Sequence, residues 1–231
     1  MARRPIWLRP VVESTTGRPA EWSREQITDA GIAVADAEGL AAVTMRRVAA
    51  ELGTGAASLY RHVSTRDDLV DLMVDRAFAD LPAPPDTGDW RADVVAHNID
   101  LLRYLRGRPW IVDGIVTRPP FGPNSVRRVE QILGLMAASP APGSRKMEAV
   151  GVIAGMVQTT AVHERPGHGG ALDEEFVAAQ MTVLVGMAHD GTHPHLAAVF
   201  ADPPADPGES GDERMARILR VVLDGLLPEE G

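Results

Sequence analysis

The stretch Thr44–Met73, TMRRVAAELGTGAASLYRHVSTRDDLVDLM, decides the fold. Met45, Val48, Ala49 and Leu52 recur at helical spacing after Thr44, and Gly53 stops that helix. Gly55 then precedes a second short helix, Ala56–Val63, with Ala56, Leu59, Tyr60 and Val63 in phase. The pair predicts a helix-turn-helix. Ala49 is small enough for a close crossing, Gly53 four residues later suits the turn, and Leu59 turns an apolar side chain inward. Ser64 is the expected cap of the next helix, which runs to about Leu81, with Asp67 near its positive end.

Working outward towards the N-terminus, Ser23 and Gln26 form a capping box, with Trp22 and Ile27 at the two positions of a hydrophobic staple. Ile27, Ala30, Val34 and Ala37 mark one face of the first helix, and Gly39 ends it. Residues 1–21 have no period and carry Arg3, Arg4, Arg9 and Arg18, so they read as a mobile basic arm. Such an arm either lies in a minor groove or is a solvated tail. Residues 22–81 are then a helix-turn-helix unit with its linking helix. Pro82, Pro84, Pro85 and Gly88 mark a boundary to a helical body, 82–231.

The body reads as helices over Trp90–Arg106, Pro109–Thr117, Asn124–Ala138, Ser144–Glu164, Leu172–His189 and Asp212–Leu227. Residues 191–211 form a Pro-, Gly- and Asp-rich loop. Aromatics make up only 4% of the chain, so its core must be built from Ala, Val, Leu, Ile and Met, which favours packed helices. The expected fold class is therefore all-α. The helix at 144–164 is apolar on more than one face, and Gly151 and Gly155 permit close approach of another helix. Met215, Ile218, Leu219, Val222 and Leu226 form a stripe on the last helix.

Of the 231 residues, 45% are hydrophobic and 24% charged, which is enough to build a core and argues against wholesale disorder. There is no cysteine, which excludes disulfides and thiolate metal sites. No apolar run is long enough to span a bilayer and no secretory h-region follows the N-terminal arginines, so a cytoplasmic location is expected. The net charge is -9, but residues 1–62 carry a net of +1 and the remainder -10, so contact with phosphate belongs to the N-terminal part. His163 and His168, and the group His189, His193 and His195, lack the spacing of a compact metal site, so neither a metal nor a cofactor is expected. No nucleophile elbow, phosphate-cradling glycine loop or zinc-protease pair is present, so enzymatic activity is not expected.

The quoted stretch, and above all Leu59-Tyr60-Arg61-His62-Val63 followed by a capped helix, resembles the DNA-binding domain of the tetracycline-repressor (TetR) family. A weaker likeness continues through Trp90 and Thr117-Arg118-Pro119 into the last helix. The resemblance implies a ligand-responsive transcriptional repressor, with a ligand-responsive activator as the alternative reading. It also implies operator DNA, a small-molecule effector and a second copy of the chain as partners, the copies joined through helices near 144–164 and 212–227. Carried over by position, Thr44 and Arg46 lie at the start of the second helix, where the family reaches a base or phosphate. Ala56, Ala57 and Ser58 face the major groove, and Tyr60, Arg61, His62 and Arg66 are further DNA contacts. Arg61 has the chemistry to read guanine, while Ser58 has the alternative of satisfying a helical carbonyl.

The family's effector pocket implies ligand contacts among His97, Asn98, Thr117, Arg118, Gln131, Gln158, Thr159 and His163, with Trp110, Met136 and Met156 as walls. The histidines that hold a magnesium–drug chelate in the tetracycline repressor fall here at Gly114 and about Pro82. The expected effector is therefore metal-free.

Overall fold

The computed structural model describes residues 5–9, 22–119, 121–165, 174–202 and 208–228, and among these it is helical with no strand. The head consists of α1 (Arg24–Glu38), α2 (Met45–Glu51) and α3 (Ala56–Leu59), and α4 (Arg66–Ala79) leads from it into the body. The body contains α5 (Trp90–Gly107), α6 (Pro109–Thr117), α7 (Pro123–Leu135), α8 (Gly143–His163), α9 (Glu174–His189), α10 (Pro194–Ala201) and α11 (Gly211–Leu226).

Local chemistry sets the boundaries. Ser23 and Gln26 form the expected capping box, with the Ser23 N–H donating to Gln26 Oε1 at 2.8 Å. The α2 helix closes on Gly53, whose φ of 67° is open to glycine at little cost, and the Thr54 N–H reaches back to the Ala49 carbonyl at 2.9 Å. Ala49 and Leu59 are fully enclosed where α2 meets α3, as the motif requires.

Four expectations are corrected. The cap of α4 is Thr65 rather than Ser64. Its hydroxyl accepts from the Asp68 N–H at 3.1 Å, and Asp67 stands in the first turn as expected, with Asp68 beside it. The recognition helix is shorter than Ala56–Val63. The His62 and Val63 N–H groups both close on the Leu59 carbonyl, which leaves Tyr60–His62 in turns. Residues 194–201 are helical, because Pro194 supplies the first turn of an apolar run hidden by its Pro- and Gly-rich flanks. Residues 5–9 are not a free arm. Ile6 is buried, and Arg9 donates to both carboxylate oxygens of Asp68, at 2.9 and 3.2 Å. The rest of the expected arm lies outside the described residues.

One hydrophobic core runs through head and body without dividing at Pro82–Gly88, and α4 is its spine. That helix packs on α1 at one side and on α6 and α7 at the other. Polar ties reinforce the junction. The Trp110 indole N–H donates to Asp36 on α1 at 2.6 Å, and the Tyr104 hydroxyl donates to the Ala77 carbonyl at 2.8 Å. Arg118 pairs with Asp67 and Asp71 on α4 at 3.1 and 2.8 Å.

The tightest tie is at Asp75. Its buried carboxylate accepts from the Asn124 and Ser125 backbone N–H groups and from both their side chains, at 2.9–3.2 Å. A side chain of α4 thus caps α7, using the positive end of that helix. Gly122 lets the chain pass, since a Cβ there would lie 2.2 Å from the Asp75 carboxylate.

Candidate functional site

The head presents one edge of unengaged polar groups. Between the start of α2 and the start of α4 stand four arginines with different fates. Arg47 is held by Glu38 at 2.7 Å and Glu51 at 2.9 Å. Arg66 donates to the Val43 and Leu40 carbonyls at 2.7 and 2.8 Å, tying α4 to the end of the preceding 3-10 turn. Arg46 and Arg61 are exposed and pair with no other described residue. Tyr60 is 51% exposed, its hydroxyl also without a described partner, and His62 lies beside it. A guanidinium, a phenol and an imidazole thus stand in the short turn after α3, and a second guanidinium at the start of α2, a set suited to phosphate oxygens and base edges.

Other expected DNA contacts have structural employment. Thr44 caps α2, its hydroxyl oxygen accepting from the Arg47 N–H at 3.1 Å while the side chain stays exposed. Ser58 takes the carbonyl alternative, donating to Gly55 at 2.8 Å with Thr54 Oγ1 3.1 Å away. Ala57 is exposed and Ala56 half-buried, so only methyl contacts are on offer there.

In the body, the structure brings some expected pocket residues together and separates others. His97 and Asn98 are buried on α5. The Asn98 amide donates to the Val94 carbonyl at 2.8 Å, and His97 makes no hydrogen bond with a described residue. Burial, and then the Arg128 charge, lower the His97 pKa from 6.5 to about 4, so the ring is neutral. Gln131 lines a half-open cleft of about 590 Å³ between α5, α7 and residues 83–88, walled by Pro84, Trp90 and Leu135. Met136 is buried nearby in the turn that ends α7.

Trp110 stands at the junction with α1, its indole N–H donating to Asp36. Arg118 likewise faces α4. The Thr117 side chain lies outside the described set. On α8 the inward stripe is Ala149, Ile153, Val157 and Ala161. Thr159 and His163 stand on the opposite, exposed stripe with Met147, Gly151 and Gly155, so they are not brought to His97 and Gln131. Gln158 and Met156 are half-buried between the two stripes.

Sequence reasoning missed Asp75 and Arg128. A signal existed for the latter: Ser125, Arg128, Ile132 and Leu135 share one helical face, so Arg128 is a charge in phase with an inward stripe.

A helix-turn-helix head, joined through a shared helix to a helical body with a cleft, defines a DNA-binding regulator of the one-component kind. The comparisons specify which. Residues 27–73 match the model of the bacterial regulatory proteins of the tetR family, and residues 81–229 match the tetracyclin repressor-like C-terminal domain. The chain belongs to the TetR family.

Among its relatives, the HTH-type transcriptional repressor DrrR1 of Streptomyces coeruleorubidus is 34% identical over 212 residues, covering 87% of this chain and 76% of that protein. The TetR-family protein ActR of Streptomyces coelicolor, in complex with actinorhodin, superposes with a TM-score of 0.73 at 27% identity, covering 89% of this chain and 97% of ActR. Apo ActR gives 0.71 at 25% identity, over 91% and 97%. The protein is a helix-turn-helix transcriptional regulator of the repressor type. No helix among the described residues is long and apolar enough to cross a membrane.

Proposed function

We propose that this protein is a homodimeric repressor that leaves its operator when a metal-free small molecule occupies the cleft of the body. The observation that carries the reading is the double grip on α4. That helix carries the head, and its Asp71 and Asp75 are held by Arg118 at the end of α6 and by the start of α7. The cleft is lined by Gln131 and Leu135 further along the same α7. A ligand that shifts α7 therefore pulls on α4 and reorients the head, without any change inside the head itself.

The relatives support the same direction, since ActR is a family member with a bound small molecule. The metal-free character rests on Pro82. Its carbonyl accepts from Arg128 at 2.7 Å, so a guanidinium occupies the neighbourhood where the resemblance would put a metal-binding histidine.

The dimer rests on α8 and α11. Met147, Val152 and Val221 are exposed apolar side chains on these helices, and Gly151 and Gly155 leave open space beside them.

A mobility-shift or polarisation assay with the DNA upstream of the protein's own gene tests the reading. Arg46→Ala and Arg61→Ala should each weaken specific binding by about 1–3 kcal/mol, whereas Arg47→Ala should change it little. Unaltered affinity in both of the first two variants would remove the proposed interface. Calorimetry with magnesium and tetracycline should give no heat of binding, and a saturable heat would overturn the metal-free effector.

A further inference from the structure

Among the described residues, Arg128 is the buried guanidinium whose surroundings do not account for it. Only 9% of the residue is exposed. One Nη1 proton goes to Gln131 Oε1 at 2.9 Å and one Nη2 proton to the Pro82 carbonyl at 2.7 Å, while Nε–H is buried with no partner. No carboxylate among the described residues pairs with it, although arginine after arginine elsewhere in the body is paired: Arg106 with Glu164 and Asp212, Arg118 with Asp67 and Asp71, Arg165 with Asp113. Burial alone pulls its pKa below the ordinary arginine value, with no anion pushing it back. A buried charge held only by neutral acceptors is a standing cost that folding does not require.

Both groups that hold Arg128 lead to the cleft. Gln131 lines it directly, and the Pro82 carbonyl precedes Ala83, which lines it too. The acids near the cleft are otherwise engaged or outward. Asp93 is buried and accepts from the Thr87 N–H and hydroxyl at 2.8 Å each, and Asp86 is exposed. The neutral His97 lies close enough to feel the Arg128 charge and has an unused ring nitrogen to offer.

We infer that Arg128, which stands behind Gln131 in the cleft wall, forms an anion-recognition centre with Gln131 and His97, and that the effector is an organic acid. Its carboxylate replaces Gln131 or Pro82 on the guanidinium fork, and its apolar portion lies against Trp90, Pro84 and Leu135. This inference rests on the reading of the cleft as the effector site and names the chemistry that it selects.

Two measurements on the full chain test it. The first needs no ligand. If Arg128 is kept for a ligand, Arg128→Met should leave the melting temperature unchanged or raised. A fall of several degrees would mean that the guanidinium is a structural tie, and would overturn the inference.

The second uses three matched probes, 2-naphthoate, 2-naphthamide and 2-naphthylmethylammonium, titrated by calorimetry into the wild type, Arg128→Met and Arg128→Lys. The acid should bind the wild type at least tenfold more tightly than the amide or the amine. That preference should vanish in Arg128→Met and return in part in Arg128→Lys. Equal binding of acid and amide, survival of the preference in Arg128→Met, or no binding of the acid in the millimolar range would each overturn it.

The same probes added to the protein–DNA complex separate the two readings. Acid binding through Arg128 without release of DNA leaves the anion centre standing and removes the effector role. Release of DNA by the neutral amide as well as the acid keeps the effector role and removes the anion centre.

Discussion

His97 is 4% exposed, with a pKa near 4 against the ordinary 6.5, and the cause is burial first and the Arg128 charge second. The sign of its effect on stability follows. Between pH 6.5 and 4 the unfolded chain binds a proton that the folded chain refuses, so stability is intact above about 6.5 and is lost as pH falls towards 4. At about 1.4 kcal/mol per unit the full loss is roughly 3 kcal/mol. Urea unfolding at pH 7.5 and pH 4.5 should therefore show a larger decline in the wild type than in His97→Gln, by roughly 2 kcal/mol or more. Equal declines would assign the loss to other groups. The same residue shows how far the sequence could be read. That His97 and Asn98 are inward is legible from their phase with Val94, Ile99 and Leu102. That the charge lowering the His97 pKa comes from Arg128, thirty-one residues on, depends on how α7 docks against α5, and no periodicity contains that information.

Several elements whose limits are set by neighbouring residues were legible, although the equally local Thr65 cap of α4 was misplaced by one residue, and limits set across the fold were not legible. The capping box at Ser23 and Gln26, the Gly53 turn and Pro109 at the start of α6 all appear as expected, because each is set within a few residues. The start of α7 has a second determinant that is invisible in sequence. Asp75 lies forty-nine residues before Asn124, and its carboxylate does for α7 what a local Ser or Asp does for other helices. Removing it strands two backbone donors and two side chains in a largely buried site. Asp75→Ala should lower stability by about 3 kcal/mol in urea unfolding, given about 1.5–3 kcal/mol for each bond to a charged acceptor and partial rescue by water. Gly122→Ala should cost a comparable amount, since its methyl group would have to displace the same carboxylate. Asn124→Ala loses one side-chain bond and keeps both backbone bonds, so it should cost about 1 kcal/mol. The ordering of the three variants distinguishes a cap from simple packing. If Asn124→Ala were as damaging as Asp75→Ala, the carboxylate would not be acting on the helix terminus.

At the scale of the whole molecule, the acidic body and the near-neutral head leave the α2–α3 edge as the surface fit to meet DNA, and one such edge is too small for specific affinity. Pairing two heads, as proposed above, requires a body surface that is apolar, exposed and open to close approach, and the outer face of α8 has those properties. Met147, Gly151, Gly155 and Thr159 recur every fourth residue on its outer stripe, opposite the inward Ala149, Ile153, Val157 and Ala161. A side chain added at Gly151 or Gly155 meets nothing within 4 Å in the single chain. A substitution there thus separates folding from assembly. In Gly151→Arg the monomer gains helix propensity, worth up to about 1 kcal/mol, and loses no internal contact. Across a tight helix–helix interface the same change inserts a long charged side chain where only hydrogen stood. Sedimentation should report a fall from twice 24.7 kDa to 24.7 kDa, with the far-ultraviolet helical signal unchanged. Specific DNA affinity should drop by roughly 10²-fold or more, because the second head no longer binds as part of the same molecule. A variant that remains dimeric and binds DNA as the wild type does would move the interface away from α8. A variant that loses its helical signal would contradict the open space at Gly151. The variant thus tests both the place of the interface on α8 and the room for a side chain at Gly151.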